Sequence, residues 1–141
     1  MPYRVIEYIP DQVLLLQTWG LITAAEADAF NREGIACLER TPAPVMHWIA
    51  DIRHASIDHH DLRDMAKHLS GLRHPKQGWQ FVISDSRLFT FFSSVVVQLV
   101  KGDTGRYFST SDPEAVRERL ARLLPDQVIP PIPVIEGVDV P

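Results

Sequence analysis

Apolar residues follow two rhythms along the chain, and the rhythm changes at proline-bearing or polar turns. Tyr3–Ile9 and Val13–Gly20 are runs rich in β-branched and aromatic residues, separated by Pro10-Asp11-Gln12. Proline presets φ for a tight turn and aspartate supports it, which predicts a hairpin. Thr23-Ala-Ala-Glu26 then has the spacing of a capping box, in which the threonine hydroxyl and the glutamate carboxylate satisfy free amides at a helix start. The predicted helix runs to about Arg40, with Ala27, Phe30, Gly34, Cys37 and Leu38 on one face, and Thr41-Pro-Ala-Pro44 stops it.

Val45–Asp51 is nearly continuously apolar, as expected of a strand covered on both sides. A second amphipathic helix is predicted over about Asp58 to Leu72. A strand over Trp79–Ser84 and a third helix over Leu88–Val100 follow. Arg106–Ser109 reads as a short strand, and Ser111-Asp-Pro-Glu114 opens a last helix with Val116, Leu120, Leu123 and Leu124 inward. The order β-β-α-β-α-β-α-β-α predicts an α/β fold. Its mixed, mostly parallel sheet of about five strands would carry an N-terminal hairpin and four flanking helices. Residues 1–124 form the expected domain. From Pro125 to the end the chain holds five of its 11 prolines and reads as an extended tail, residues 125–141.

At 141 residues with 45% hydrophobic and 23% charged side chains, the sequence suits one globular domain. A net charge of −4 with mixed signs lacks the basic stripe that nucleic-acid binding needs. Leu88–Val100 is the longest strongly apolar stretch without a charge. Its 13 residues fall short of the roughly 20 of a membrane span. Cys37 is the only cysteine, which excludes an internal disulfide and a cysteine-based zinc site. It suits a reducing compartment, and with no apolar leader at the N-terminus the expectation is a cytoplasmic protein.

The segment Asp51-Ile-Arg-His-Ala-Ser-Ile-Asp58, after a buried strand and before a helix, resembles the signature region of the STAS family (sulfate transporter and anti-sigma-factor antagonist). The likeness extends from the opening hairpin through the closing Ser111-Asp-Pro-Glu-Ala-Val helix, about Tyr3 to Leu124. It is especially similar to the stand-alone bacterial STAS-like proteins related to the CRAL-TRIO lipid-binding fold. The resemblance implies a non-catalytic module that binds a protein partner through the loop Asp51, Ser56, Asp58, His59, His60 and Asp61. A small apolar ligand or lipid is the alternative it suggests. Antagonist members carry Asp-Ser-Ser/Thr-Gly, whose serine is phosphorylated to break the contact. Here the stretch reads Asp58-His59-His60-Asp61, with histidine at the acceptor position, so that switch is not expected.

The histidines around this segment invite a metal reading. In the predicted helix, however, His60 and His68 stand about 12 Å apart along the axis and cannot share an ion. A solvated face with aspartates near a positive helix start accounts for them, and no metal or cofactor is expected. Ser56 or Asp58 reads as a helix cap. Cys37 lies on an apolar helix face and reads as a core thiol, and His47 and Trp48 read as packed strand residues. Asp51 ends a central strand, where open α/β sheets place ligands. On the third helix, Phe89, Val96, Val97 and Val100 widen the apolar arc to about 180°, where about 100° is usual for a one-sided helix. That surplus predicts a cover, either the chain's own tail or, through a two-fold interface of those four residues, a homodimer.

Overall fold

The computed structural model describes residues 3–57, 64, 74–87 and 106–135. Within them lie β1 (Tyr3–Ile9), β2 (Val13–Ile22), α1 (Ala24–Arg40), β3 (Met46–Ile57), β4 (Gln77–Ile83), β5 (Tyr107–Thr110) and α2 (Pro113–Leu123). One five-stranded sheet runs in the order β1-β2-β3-β4-β5. β1 pairs antiparallel with β2 and every later pairing is parallel, so the mixed sheet read from the sequence is present. Two of the four expected helices are α1 and α2. The other two, at 58–72 and 88–100, lie outside the described residues, apart from Asp64, which is helical.

Local chemistry accounts for the element ends. The β1–β2 turn closes with the Gln12 amide donating to the Ile9 carbonyl at 3.0 Å, and Asp11 takes φ 61°. Proline at the first inner position and a left-handed second one is the type II pattern. The capping box of α1 is complete: the Glu26 amide donates to Thr23 Oγ1 at 3.3 Å, and the Thr23 amide to Glu26 Oε2 at 3.1 Å. Asp112 caps α2 by accepting from the Glu114 amide at 3.0 Å, with Pro113 in the first turn.

The two helices cover opposite faces of the sheet. Alternate residues of a strand point to opposite sides, so Leu14, Met46 and Trp48 meet Leu38 of α1. Val13, Leu15, Ile49, Phe81 and Ile83 meet Val116 and Leu120 of α2 on the other side. The first half of β3 and the end of β4 are therefore covered on both faces, which is why Met46–Ala50 and Phe81–Ile83 are mostly apolar. Ala27, Gly34 and Leu38 of α1 are buried as expected, while Phe30 and Cys37 are only partly so. Asn31 is buried as well, which the helical spacing did not single out.

Strand ends shift by one or two residues elsewhere, and one is corrected by more. β3 was expected to stop at Asp51 and instead continues to Ile57. Beyond Asp51 the β2–β3 register shifts by one residue and pairing resumes from Trp19↔His54 to Ile22↔Ile57, whereas the pairing with β4 ends at Asp51↔Ile83. The extension forms because β2 itself runs on to Ile22, and Ala55 packs on the Ile22–Ala27 cluster. Its residues look loop-like in sequence because this stretch is less deeply buried.

At the amino ends of the parallel strands, three loops are tied together. Thr41 Oγ1 donates to Asp11 Oδ1 at 2.9 Å, and Lys76 Nζ donates to the Thr41 carbonyl at 2.5 Å. The Met46 amide donates to the Lys76 carbonyl at 2.8 Å and the His47 amide to that of Gln12 at 2.9 Å.

Gly34 fixes how closely α1 approaches the sheet. A Cβ there would stand 2.8 Å from Trp48 Cη2 and 3.0 Å from Cζ2. Gly34→Ala is expected to destabilise the chain by about 1–2 kcal/mol, because overpacking outweighs the roughly 1 kcal/mol gained in helix propensity. Urea unfolding measures it, and in a Trp48→Phe background the same substitution should become neutral or stabilising.

Candidate functional site

A polar row crosses the α2 side of the sheet. Register places Arg4 of β1 opposite Gln17 of β2, and Gln17 beside Asp51 of β3. The Gln17 and Asp51 side chains are fully buried, in line with Leu15 and Ile49 on the same face. Asp51 is held on both oxygens. Arg53 Nε donates to Oδ1 and Nη2 to Oδ2, each at 2.9 Å, and Gln17 Nε2 donates to Oδ2 at 3.3 Å. The Arg53 guanidinium is pushed to a still higher pKa, first by this hydrogen bond to Asp51, with burial opposing. Arg4 Nε donates to Gln17 Oε1 at 2.6 Å, which engages the amide at both ends.

The chain after α2 lies over this row. Residues 125–135 form neither helix nor strand. Gln17 Nε2 donates to the Pro133 carbonyl at 2.7 Å, and Arg117 Nη2 to that of Ile129 at 2.7 Å. The Tyr8 hydroxyl donates to the Pro130 carbonyl and Arg4 Nη2, at 3.5 Å, to that of Val134. Ile129 and Ile132 pack on the apolar cluster of the same face. The tail thus covers the sheet of its own chain.

Of the residues read from the sequence, Asp51 is at the centre of this row. Ser56 is not a helix cap: it is an exposed strand residue opposite Leu21, because β3 runs on past it. Asp58, His59, His60 and Asp61 lie outside the described residues, as do Phe89, Val96, Val97 and Val100. His47 belongs to the strand as expected, its Nδ1 accepting from the Trp79 amide at 2.9 Å. Burial pushes the Cys37 thiol up despite Arg40 beside it, which disfavours the reactive thiolate. Arg4, Tyr8, Gln17, Arg53 and Arg117 were not singled out. The available signal was Gln17, an amide at an inward position of an otherwise apolar strand.

A second feature is a shallow depression of about 160 Å³ between α2 and the sheet, lined by Trp79, Phe81, Arg119, Arg122 and Leu123. Arg119 sits 3.7 Å from the ring centre of Phe108 nearby. Among the described residues no group of three or more acidic, histidine or cysteine side chains could hold a metal, and no helix is long and apolar enough to cross a membrane.

No family model matches the chain, and no curated protein matches it either. Among solved structures, it is similar to an uncharacterized protein of the DUF3478 family from Shewanella loihica, described as having a SpoIIAA-like fold. That likeness has a TM-score of 0.59 at 15% identity over 84% of this chain and 91% of the other. The fold is SpoIIAA-like. It is the STAS-like architecture that the element order and residues 51–58 suggested. The phosphorylated Bacillus cell fate determinant SpoIIAA itself aligns with a TM-score of 0.47 at 8% identity, over 83% of this chain and 98% of that one.

Two expected outcomes follow from the row on this STAS-like sheet. Asp51→Ala leaves Arg53 without its counter-charge in a mostly buried position and should lower unfolding free energy by on the order of 3 kcal/mol. Asp51→Ala with Arg53→Ala should cost less than the two singles summed, as read by denaturant unfolding. The second outcome concerns Tyr8, whose hydroxyl burial raises above its ordinary pKa of 10.0. A raised phenol stabilises the fold fully below that ordinary value, and the contribution is lost as pH climbs through the folded one. Stability should therefore fall above about pH 10, where the phenol ionises and stops donating to Pro130. Tyr8→Phe should flatten part of that slope while costing about 1 kcal/mol at neutral pH, measured as unfolding midpoints across a pH series.

Proposed function

We propose that the chain is a non-catalytic, STAS-like binding module that acts through protein–protein contacts in a regulatory role. The observation that carries this reading is the closed state of Asp51. It stands where the pairing of β3 with β4 ends, although β3 itself runs on to Ile57. Both its oxygens are taken by Arg53 and Gln17, and the tail covers the row. An acid spent in this way holds the sheet together. The raised thiol of Cys37 supports the non-catalytic reading. The SpoIIAA-like fold supports the reading by analogy of architecture.

A small apolar ligand is the competing reading. The depression at Trp79 and Phe81, at about 160 Å³, is below the roughly 300 Å³ at which ligand pockets begin. Self-association through Phe89, Val96, Val97 and Val100 belongs to the same proposal, with the wide apolar arc that the sequence predicts for a helix over 88–100 as its motive.

Native mass spectrometry of the purified full chain tests both points. The expected result is a dimer mass with no retained small molecule. An increment of ligand size on each chain would overturn the binding-module reading in favour of a lipid or small-ligand carrier. A monomer at high micromolar concentration would remove self-association.

A further inference from the structure

The tail obeys a period of three. Val128, Pro131 and Val134 are exposed, while Ile129, Pro130, Ile132, Pro133 and Ile135 are partly buried. Three residues per turn is the repeat of the polyproline II helix, which makes no internal hydrogen bonds and so leaves its carbonyls free to accept. The sheet side supplies donors to those carbonyls: Arg117 to Ile129, Tyr8 to Pro130, Gln17 to Pro133 and Arg4 to Val134. Ile129 and Ile132, one repeat apart, enter the apolar cluster between the donors.

We propose that this sheet face is a groove for a proline-rich, polyproline II segment of a partner protein, and that the chain's own tail is its resident occupant. The proposal deepens the binding-module reading and rests on it. Every hydrogen bond given above reads a main-chain carbonyl, and the sockets take aliphatic side chains three positions apart. The groove therefore selects a conformation and a spacing, isoleucine-proline repeated after one residue, and not one unique sequence. This is polyproline recognition, in which a segment with little conformational freedom to lose docks on a preformed face. The resident copy is tethered by Pro125-Asp126-Gln127, where the Gln127 amide donates to the Leu124 carbonyl at 3.0 Å. The tether gives the tail a high local concentration, so a partner segment enters by displacing it.

The test uses the full chain with Ile129→Asp and Ile132→Asp, which expels its tail. The probe is a fluorescent peptide of residues 126–135, and binding is read by anisotropy. One peptide is expected to bind per variant chain, with affinity for the wild type weaker by roughly tenfold or more because the resident tail competes. A peptide carrying the same two aspartates should not bind. Absence of binding to a variant whose circular dichroism and melting are those of a folded protein overturns the proposal, as does equal affinity for both chains. If the variant does not fold, a full chain with a protease site at 125–127 is cut in the folded state. Replacement of the cut tail by labelled peptide supports the groove, and a tail that is never replaced overturns it. Failure here together with a ligand-free native mass removes the groove alone, whereas a retained small molecule removes the reading beneath it.

Discussion

A carboxylate with no solvent contact constrains much of this fold. An uncompensated buried charge costs several kcal/mol, so Asp51 must be met by donors on both oxygens. Arg53 can do so only by folding back from the strand's own continuation, and Gln17 only if β2 and β3 keep one register. A slip of one residue would set Leu16 or Thr18 beside Asp51, with that side chain on the opposite face. Gln17 then has a further donor to place, and the Pro133 carbonyl takes it. One charge thereby couples the central register, the onset of the β3 extension and the seat of the tail.

Much of this was legible in the sequence where burial is one-sided or complete. The hairpin, the capping box at Thr23 and the paired apolar runs of β3 and β4 announce themselves because their patterns answer to local geometry. The extension of β3 did not. Ile52 to Ser56 mixes Arg53, His54 and Ser56 into a strand paired on one side with β2, and such mixing reads as a loop. Nor could the polar row be assembled beforehand. Gln17 and Asp51 are 34 positions apart and meet only through the register across the crossover that α1 makes. Asn31 shows the same limit on a helix, since an amide on an apolar face looks like solvent surface until its neighbours are known.

The tail reverses the usual reading of proline. Five prolines after α2 argue against helix and sheet, and that part holds: residues 125–135 form neither. What the prolines favour is a third regular geometry. Ile129, Ile132 and Ile135 recur at its period, a pattern present in the sequence once a repeat of three is considered alongside those of 2 and 3.6. Its isoleucines bury apolar surface while its carbonyls satisfy donors from β1, β2 and α2. Regular packing is thus achieved without a backbone ladder.

The knot of Asp11, Thr41 and Lys76 has an evolutionary consequence. Three connections separated by tens of positions share hydrogen-bonding groups at one rim of the sheet, so lengthening any one of them displaces partners in the other two. Insertions are tolerated where few bonds depend on the backbone, and at this rim several do. Loop growth at this rim would therefore break the bonds that tie the three connections to one another.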